Sequence, residues 1–188
     1  AVPRSSSGGV AMIEMLNILE GFDLKAAGHN SPRYIHLLAE SMRRAFLDRA
    51  RYLGDPDFVT VPVEKLTSKG YANDLRKTIQ MDKATASEPA QIADGYESLE
   101  TTHYSVVDKN GMAVSVTYTL EAGYGLGAVV SGAGFLLNNE MGDFNGKPGL
   151  TDSTGLIGTA ANVARPGKRM LSSMTPAIMV AISRFCTP

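Results

Sequence analysis

Glu100-Thr101-Thr102-His103-Tyr104-Ser105-Val106-Val107-Asp108 joins two different kinds of sequence. Before it, residues 1–100 carry 12 Lys/Arg and 14 Asp/Glu; after it, residues 101–188 carry only 6 and 5 and are dense in Gly and Thr. The contrast predicts an α+β chain with a helical, solvated first part (1–100) and a buried, strand-rich second part (101–188). The junction is also where chemistry is expected. A threonine hydroxyl is a weak nucleophile, and making it the first residue of a chain supplies its own free amine as base. Cleavage between Glu100 and Thr101 would do this. Thr102 has the same side chain and is nearly as good a candidate.

The bulk numbers exclude several classes. A hydrophobic content of 44% and a charged content of 20% over 188 residues are those of an ordinary globular domain. A net charge of -1 gives no reason to expect nucleic acid or an anionic membrane as partner. No run approaches the roughly 18 apolar residues of a membrane span. Ala1-Val2-Pro3-Arg4-Ser5 lacks the apolar region of a signal peptide, and the abrupt end at Phe185-Cys186-Thr187-Pro188 reads as an internal piece of a longer protein. The single cysteine, Cys186, excludes an internal disulfide.

Outward from the junction, local signals place the elements. Ser5 to Gly9 reads as a loop, and apolar residues from Val10 to Leu19 recur at helical spacing with Gly21 beyond them. Ser31 and Pro32 mark a helix start. From there Ile35, Leu38, Met42, Ala45, Phe46 and Leu53 follow one face, with Arg33, Glu40, Arg43, Arg44, Asp48 and Arg51 mostly on the other. Gly54 to Asp57 turns the chain, a short helix follows Pro62, and another is predicted over 69–79. Residues 82–100 read as an exposed connector, where chains are cut. Beyond Thr101 the pattern alternates. Asn110-Gly111 predicts a hairpin turn with 113–120 as the returning strand. Val129-Val130, Phe135 to Leu137 and Thr175 to Ser183 are further strand candidates.

Few stretches carry chemistry on their own. Gly123-Tyr124-Gly125-Leu126-Gly127 lacks the Lys-Ser/Thr of a phosphate loop and reads as a bend. His29, His36 and His103 have no ligand spacing with the one cysteine, so neither zinc nor any other cofactor is expected. Glu140 and Asp143, three apart in a Gly-containing loop, are either a solvated turn or a carboxylate pair for an ammonium group. Ser172 and Ser173 are either a loop or hydroxyls that hold a carboxylate. Together the second readings describe a site for an amino acid, and spacing alone leaves both open.

Several long stretches resemble the gamma-glutamyltransferase (glutathione hydrolase) family. They are Thr101 to Asp108, Thr117-Tyr118-Thr119-Leu120, Phe135 to Phe144 and Leu171-Ser172-Ser173-Met174-Thr175-Pro176. Upstream, Ser6 to Gly9, Leu16 to Glu20 and Tyr52 to Phe58 match in the same order. The resemblance covers nearly the whole chain. It implies an N-terminal-nucleophile hydrolase with a four-layer αββα core, present only in part, made as a zymogen that cuts itself into large and small subunits. By it, residues 1–100 belong to the large subunit and 101–188 to the small one.

The same resemblance implies roles residue by residue. Thr101 is the nucleophile, freed by autocatalytic cleavage after Glu100, and Thr119 is the threonine whose hydroxyl bonds it. Glu140 and Asp143 hold the substrate α-amino group; Ser172 and Ser173 hold its α-carboxylate. Glu121 stands where many members have an asparagine that helps bind the γ-glutamyl head group, so a related acylase or a poly-γ-glutamate-processing enzyme is the rival reading, and an inactive fragment another. The family's oxyanion-hole glycine pair and its carboxylate-binding arginine match nothing in this chain. Implied partners are glutathione or another γ-glutamyl donor and an amino acid or dipeptide acceptor. The implied location is periplasmic or extracellular.

Overall fold

A computed structural model describes residues 6–86, 101–145 and 160–179. Glu100, Cys186 and the end of the 82–100 connector lie outside the described residues. Packing divides the chain into two units. A helical unit gathers the described residues within Ala1–Glu97 and Glu140–Met174; a hairpin unit gathers those within Ser98–Asn139 and Thr175–Pro188.

The helical unit holds α1 (Gly8–Leu19), α2 (Leu24–Ala27), α3 (Pro32–Tyr52), α4 (Val63–Leu66) and α5 (Lys69–Lys77). The chain forms α3 where the sequence announces it. The Ser31 hydroxyl accepts from the Tyr34 amide at 3.1 Å, and Pro32 occupies the first turn. Ser68 caps α5 in the same way through the Tyr71 amide. Helix α1 packs against both α3 and α5. Val10, Leu53, Leu66 and Leu171 form the buried core, flanked by Tyr52, Val61 and Tyr71. Among the described residues no helix is long and apolar enough to cross a membrane.

Helix α3 corrects one expectation. The larger members of its apolar stripe are exposed, Ile35, Leu38, Met42 and Phe46 each keeping roughly a third to a half of their surface, while Ala45 and Leu53 of the same stripe are buried. The buried face instead carries Leu37, Glu40, Ser41, Arg44, Ala45 and Asp48. The polar members are tolerated there because each has a partner. Arg44 pairs with Glu40 and donates through Nε to Thr78 Oγ1 at 2.9 Å; Glu40 accepts from the amide and hydroxyl of Thr85 at 2.8 and 2.6 Å. Burial pushes the Glu40 carboxyl up, but the Thr85 and Arg44 bonds outweigh it and hold it at about 2.

A second polar cluster lies between α1, α3 and α5. Glu14 and Asp48 are almost fully buried, and the Tyr71 hydroxyl donates to Asp48 Oδ2 at 2.6 Å. Burial, the Asp48 charge and a hydrogen bond with Asp48 raise Glu14 to about 8. An unfolded Glu titrates near ~4.3. A raised carboxylate favours the folded state while protonated, so this contribution is complete below about pH 4 and is lost as pH rises through 8. Glu14→Gln removes the titration and keeps the shape. Its melting temperature should fall less than the wild type's between pH 5 and pH 8.5; an identical fall in both would rule the linkage out.

The hairpin unit is built on β1 (Thr102–Val107) and β2 (Ala113–Tyr118), paired antiparallel from Thr102↔Tyr118 to Val107↔Ala113. The predicted turn is present. Gly111 has φ +85°, and Asp108 Oδ1 accepts from the amides of Asn110 and Met112 at 2.8 Å each. Three strand expectations are corrected. Strand β1 is exposed along its whole length rather than buried, because no second layer covers it among the described residues. Val129 and Leu136 form one isolated bridge, flanked by bonds from the Val130 amide to the Phe135 carbonyl and from the Leu137 amide to the Ala128 carbonyl at 2.9 Å each, with Gly127 at positive φ just before it, and no strand extends further. Residues 175–179 are not a strand, although the Ser115 hydroxyl donates to the Ala177 carbonyl at 3.1 Å; residues 180–183 lie outside the described residues. Helix α2 was not foreseen from sequence.

Candidate functional site

The two units carry different parts of the candidate site. In the hairpin unit the register separates the two neighbouring threonines. The ladder ends at Thr102↔Tyr118, and continuing the same register by one step would bring Thr101 opposite Thr119, both just beyond the strands. Directly opposed residues on an antiparallel pair have Cβ atoms ~5 Å apart. Side chains alternate along a strand, so Thr101 and Thr119 share a face with His103, Ser105, Ser115 and Thr117. That face is polar and knitted: His103 Nδ1 bonds Thr117 Oγ1 at 2.8 Å, and the Ser105 and Ser115 hydroxyls bond at 3.0 Å. Thr102 falls on the other face, with Tyr104, Val106, Val114, Val116 and Tyr118. It is a strand residue, and Thr101 is the one left at the open end.

Thr119 is held by its own loop. Its Oγ1 accepts from the Glu121 amide at 3.0 Å, which leaves its own proton to donate elsewhere. Glu121 adopts the left-handed region at φ 71°, where residues other than Gly are uncommon and Asn is among the better tolerated. An asparagine, which the sequence resemblance leads one to expect at this position, would suit the same backbone. The glycine run that follows is a bend, as read from sequence. A Cβ at Gly125 would lie 2.1 Å from the Leu137 carbonyl oxygen, which accepts from the Leu126 amide at 2.9 Å.

The helical unit holds the other four residues. Glu140 and Asp143 are the first and last residues of one 3-10 turn (Glu140–Asp143), and residues three apart in such a turn lie one above the other. Glu140 is buried and Asp143 half-buried. Asn162 Nδ2 fixes the end of the turn by donating to the Asp143 carbonyl at 2.7 Å, and Phe144 is buried directly after it.

Ser172 and Ser173 are fixed from several sides. The Ser172 carbonyl accepts from both the amide and the hydroxyl of Ser7, at 2.8 and 2.9 Å. Ser6 Oγ donates to the Met174 carbonyl at 2.8 Å, and the Met174 amide donates to Ser172 Oγ at 3.2 Å. Just upstream, Arg169 binds fully buried Asp55 through its amide, Nε and Nη2, at 2.8, 3.0 and 2.5 Å, and also pairs with Asp57. The side-chain bond from Arg169 is the first reason Asp55 sits well below the usual carboxylate range.

Sequence reasoning missed Arg49. It lies one turn before the end of α3 and donates through Nε to Ser7 Oγ at 3.0 Å and through Nη2 to Ser173 Oγ at 2.9 Å. Burial lowers its guanidinium from the ordinary value, and the charge of Asp143 opposes that shift. The one available signal was Ser7, which sits at the N-cap of α1 yet makes no side-chain cap bond because its hydroxyl is engaged by Arg49 and Ser172. Among the described residues no three His, Cys, Asp or Glu gather as metal ligands would.

Comparison with known proteins places this arrangement. The gamma-glutamyltranspeptidase family profile matches residues 1–186. The chain is 49% identical over 183 residues to the glutathione hydrolase proenzyme of Escherichia coli (strain K12), covering 96% of this chain and 31% of that protein. It is 41% identical over 183 residues to the acylase ACY 1 proenzyme of Pseudomonas sp. (strain SE83), covering 97% of this chain and 31% of that protein. The cephalosporin acylase of Bacillus halodurans superposes with a TM-score of 0.68 at 28% identity, over 92% of this chain and 28% of that chain. The chain thus spans about a third of the length of these curated relatives. It is α+β and covers part of the N-terminal-nucleophile hydrolase fold.

Proposed function

Because the chain belongs to the gamma-glutamyltranspeptidase family, we propose that the full-length protein carrying it cuts itself between Glu100 and Thr101, and that Thr101 then transfers γ-glutamyl groups. The observation that supports this reading best is the hairpin register, which, continued one step past Thr102↔Tyr118, would bring Thr101 opposite Thr119 on the polar face.

In the precursor the Thr101 hydroxyl attacks the Glu100 carbonyl carbon. The peptide C–N bond breaks as the acyl group moves to oxygen, and water hydrolyses the ester. The freed α-amine, with an ordinary pKa of roughly 7.7–8.0, serves as base near neutral pH. Thr119, whose oxygen already accepts from the Glu121 amide, donates its proton to the Thr101 oxygen and holds it in place. Attack on a γ-glutamyl amide then forms a Thr101 ester and expels the amine, which takes the proton held by the α-amine. Water completes hydrolysis; an amino acid or dipeptide completes transpeptidation. Glu140 and Asp143 would hold the donor ammonium, and Ser172 with Ser173 its carboxylate. The donor would be glutathione or a related amide, with large and small subunits arising from the one precursor. A periplasmic or extracellular site of action belongs to the same proposal, on family resemblance.

The acylase relatives and Glu121 favour a second reading, in which the same nucleophile accepts an acyl-cephalosporin. A donor panel on the full-length protein separates the two. Release of amine from γ-glutamyl anilide without turnover of glutaryl-cephalosporin is the expected result; the reverse preference would establish the acylase.

A further inference from the structure

We propose that Arg49 positions the Ser173 hydroxyl to bind the α-carboxylate of the donor. This deepens the functional reading above and rests on it. An arginine side chain has only donors, so in its 2.9 Å contact with Nη2 the Ser173 oxygen must accept. The hydroxyl proton cannot then point at the guanidinium and must donate on another side, where the donor carboxylate would sit. The guanidinium is itself held in plane. Its Nε donates to Ser7 Oγ, and that hydroxyl in turn donates to the Ser172 carbonyl at 2.9 Å. One rigid group thereby sets the backbone at Ser172 and the side chain at Ser173. Ser7 is completely buried, and its hydroxyl serves this chain of bonds where an N-cap bond to α1 would be the local alternative.

Arg49 need not touch the donor for this role. It is a positioning residue, and a purely structural arginine would affect all donors alike. The test uses the full-length protein and two donors: γ-glutamyl anilide, and γ-aminobutyryl anilide, which lacks the α-carboxylate and carries its amine at the chain end. Arg49→Met should raise KM for γ-glutamyl anilide by about tenfold, the loss expected for one charge-assisted hydrogen bond, with kcat changed by less than about threefold. Turnover of γ-aminobutyryl anilide should be the same in variant and wild type. Arg49→Lys, which keeps the charge but cannot make both bonds at once, should fall between.

In a Ser173→Ala background Arg49→Met should add little, because the two losses are one interaction. An unchanged KM, or equal losses on both donors, would overturn the proposal. If Arg49→Met does not accumulate as folded protein, Arg49→Lys decides by the same comparison. A wild-type protein with no γ-glutamyl turnover sinks the functional reading itself; an active wild type with indifferent Arg49 variants sinks only the role of Arg49.

Discussion

Thr101→Ala should leave the precursor as one chain and reduce γ-glutamyl release by at least about 10⁴-fold, the scale seen when a catalytic nucleophile is removed. Two losses combine in this variant. Without the hydroxyl there is no attack on the Glu100 carbonyl, so no new amine is made; without the amine and the hydroxyl there is no acyl acceptor. Thr101→Ser separates them from a folding defect, since it keeps the hydroxyl and should still be cut, with measurable turnover. Thr102→Ala supplies the other contrast. Its side chain lies on the opposite face of β1 from Thr119, among Tyr104, Val106 and Tyr118, and its loss should leave cleavage after Glu100 intact. Intact-mass spectra of the three variants read all of this at once.

Arg169→Met should destabilise the fold. Asp55 is fully buried, and removing its cationic partner leaves a carboxylate away from water. The loss is moderated in two ways. The Arg169 and Asp57 amides still donate to Asp55, and the Arg169 side chain is 44% exposed, so part of its charge is already screened by solvent. The sign with pH follows from the depressed Asp55 carboxyl. Its stabilisation is present above the unfolded value near ~3.9 and is lost as pH falls through the lower folded value. Arg169→Met shrinks that gap, so acid unfolding should begin at a higher pH than in the wild type. Denaturant melts at pH 7 and an acid titration followed by circular dichroism check both. An unchanged acid midpoint would mean the pair does not hold this segment. The effect bears on the site because Ser172 follows Arg169 by three residues.

The readable parts of the fold share one property: their causes are local. Ser31-Pro32 starts α3 through atoms within three residues, and Asn110-Gly111 closes the hairpin through Asp108. The alternation after Thr101 and the Asn110-Gly111 turn gave the antiparallel pairing of β1 with β2. The buried side of α3 was not readable, because Glu40, Arg44 and Asp48 are satisfied by Thr85, Thr78 and Tyr71, residues 23 to 45 positions away. A helical period shows that a helix has two faces; partners elsewhere decide which one is buried. Val129 to Leu137 failed because the paired stretch is confined between positive-φ Gly125 and Gly127 on one side and Gly132 and Gly134 in its turn, which leaves one bridge. Arg49 looked like one more surface charge on α3. Its bonds run 42 positions back to Ser7 and 124 forward to Ser173, distances at which spacing carries no signal.

The central claim is that Thr101 becomes a chain terminus and carries the γ-glutamyl group. The direct measurement is acid quenching of the full-length protein during turnover of γ-glutamyl anilide, followed by mass analysis of the small subunit. The account predicts a subunit beginning at Thr101, a fraction of which is heavier by one γ-glutamyl group localised to that threonine. A small subunit beginning elsewhere, or a γ-glutamyl adduct on any other residue, would contradict it.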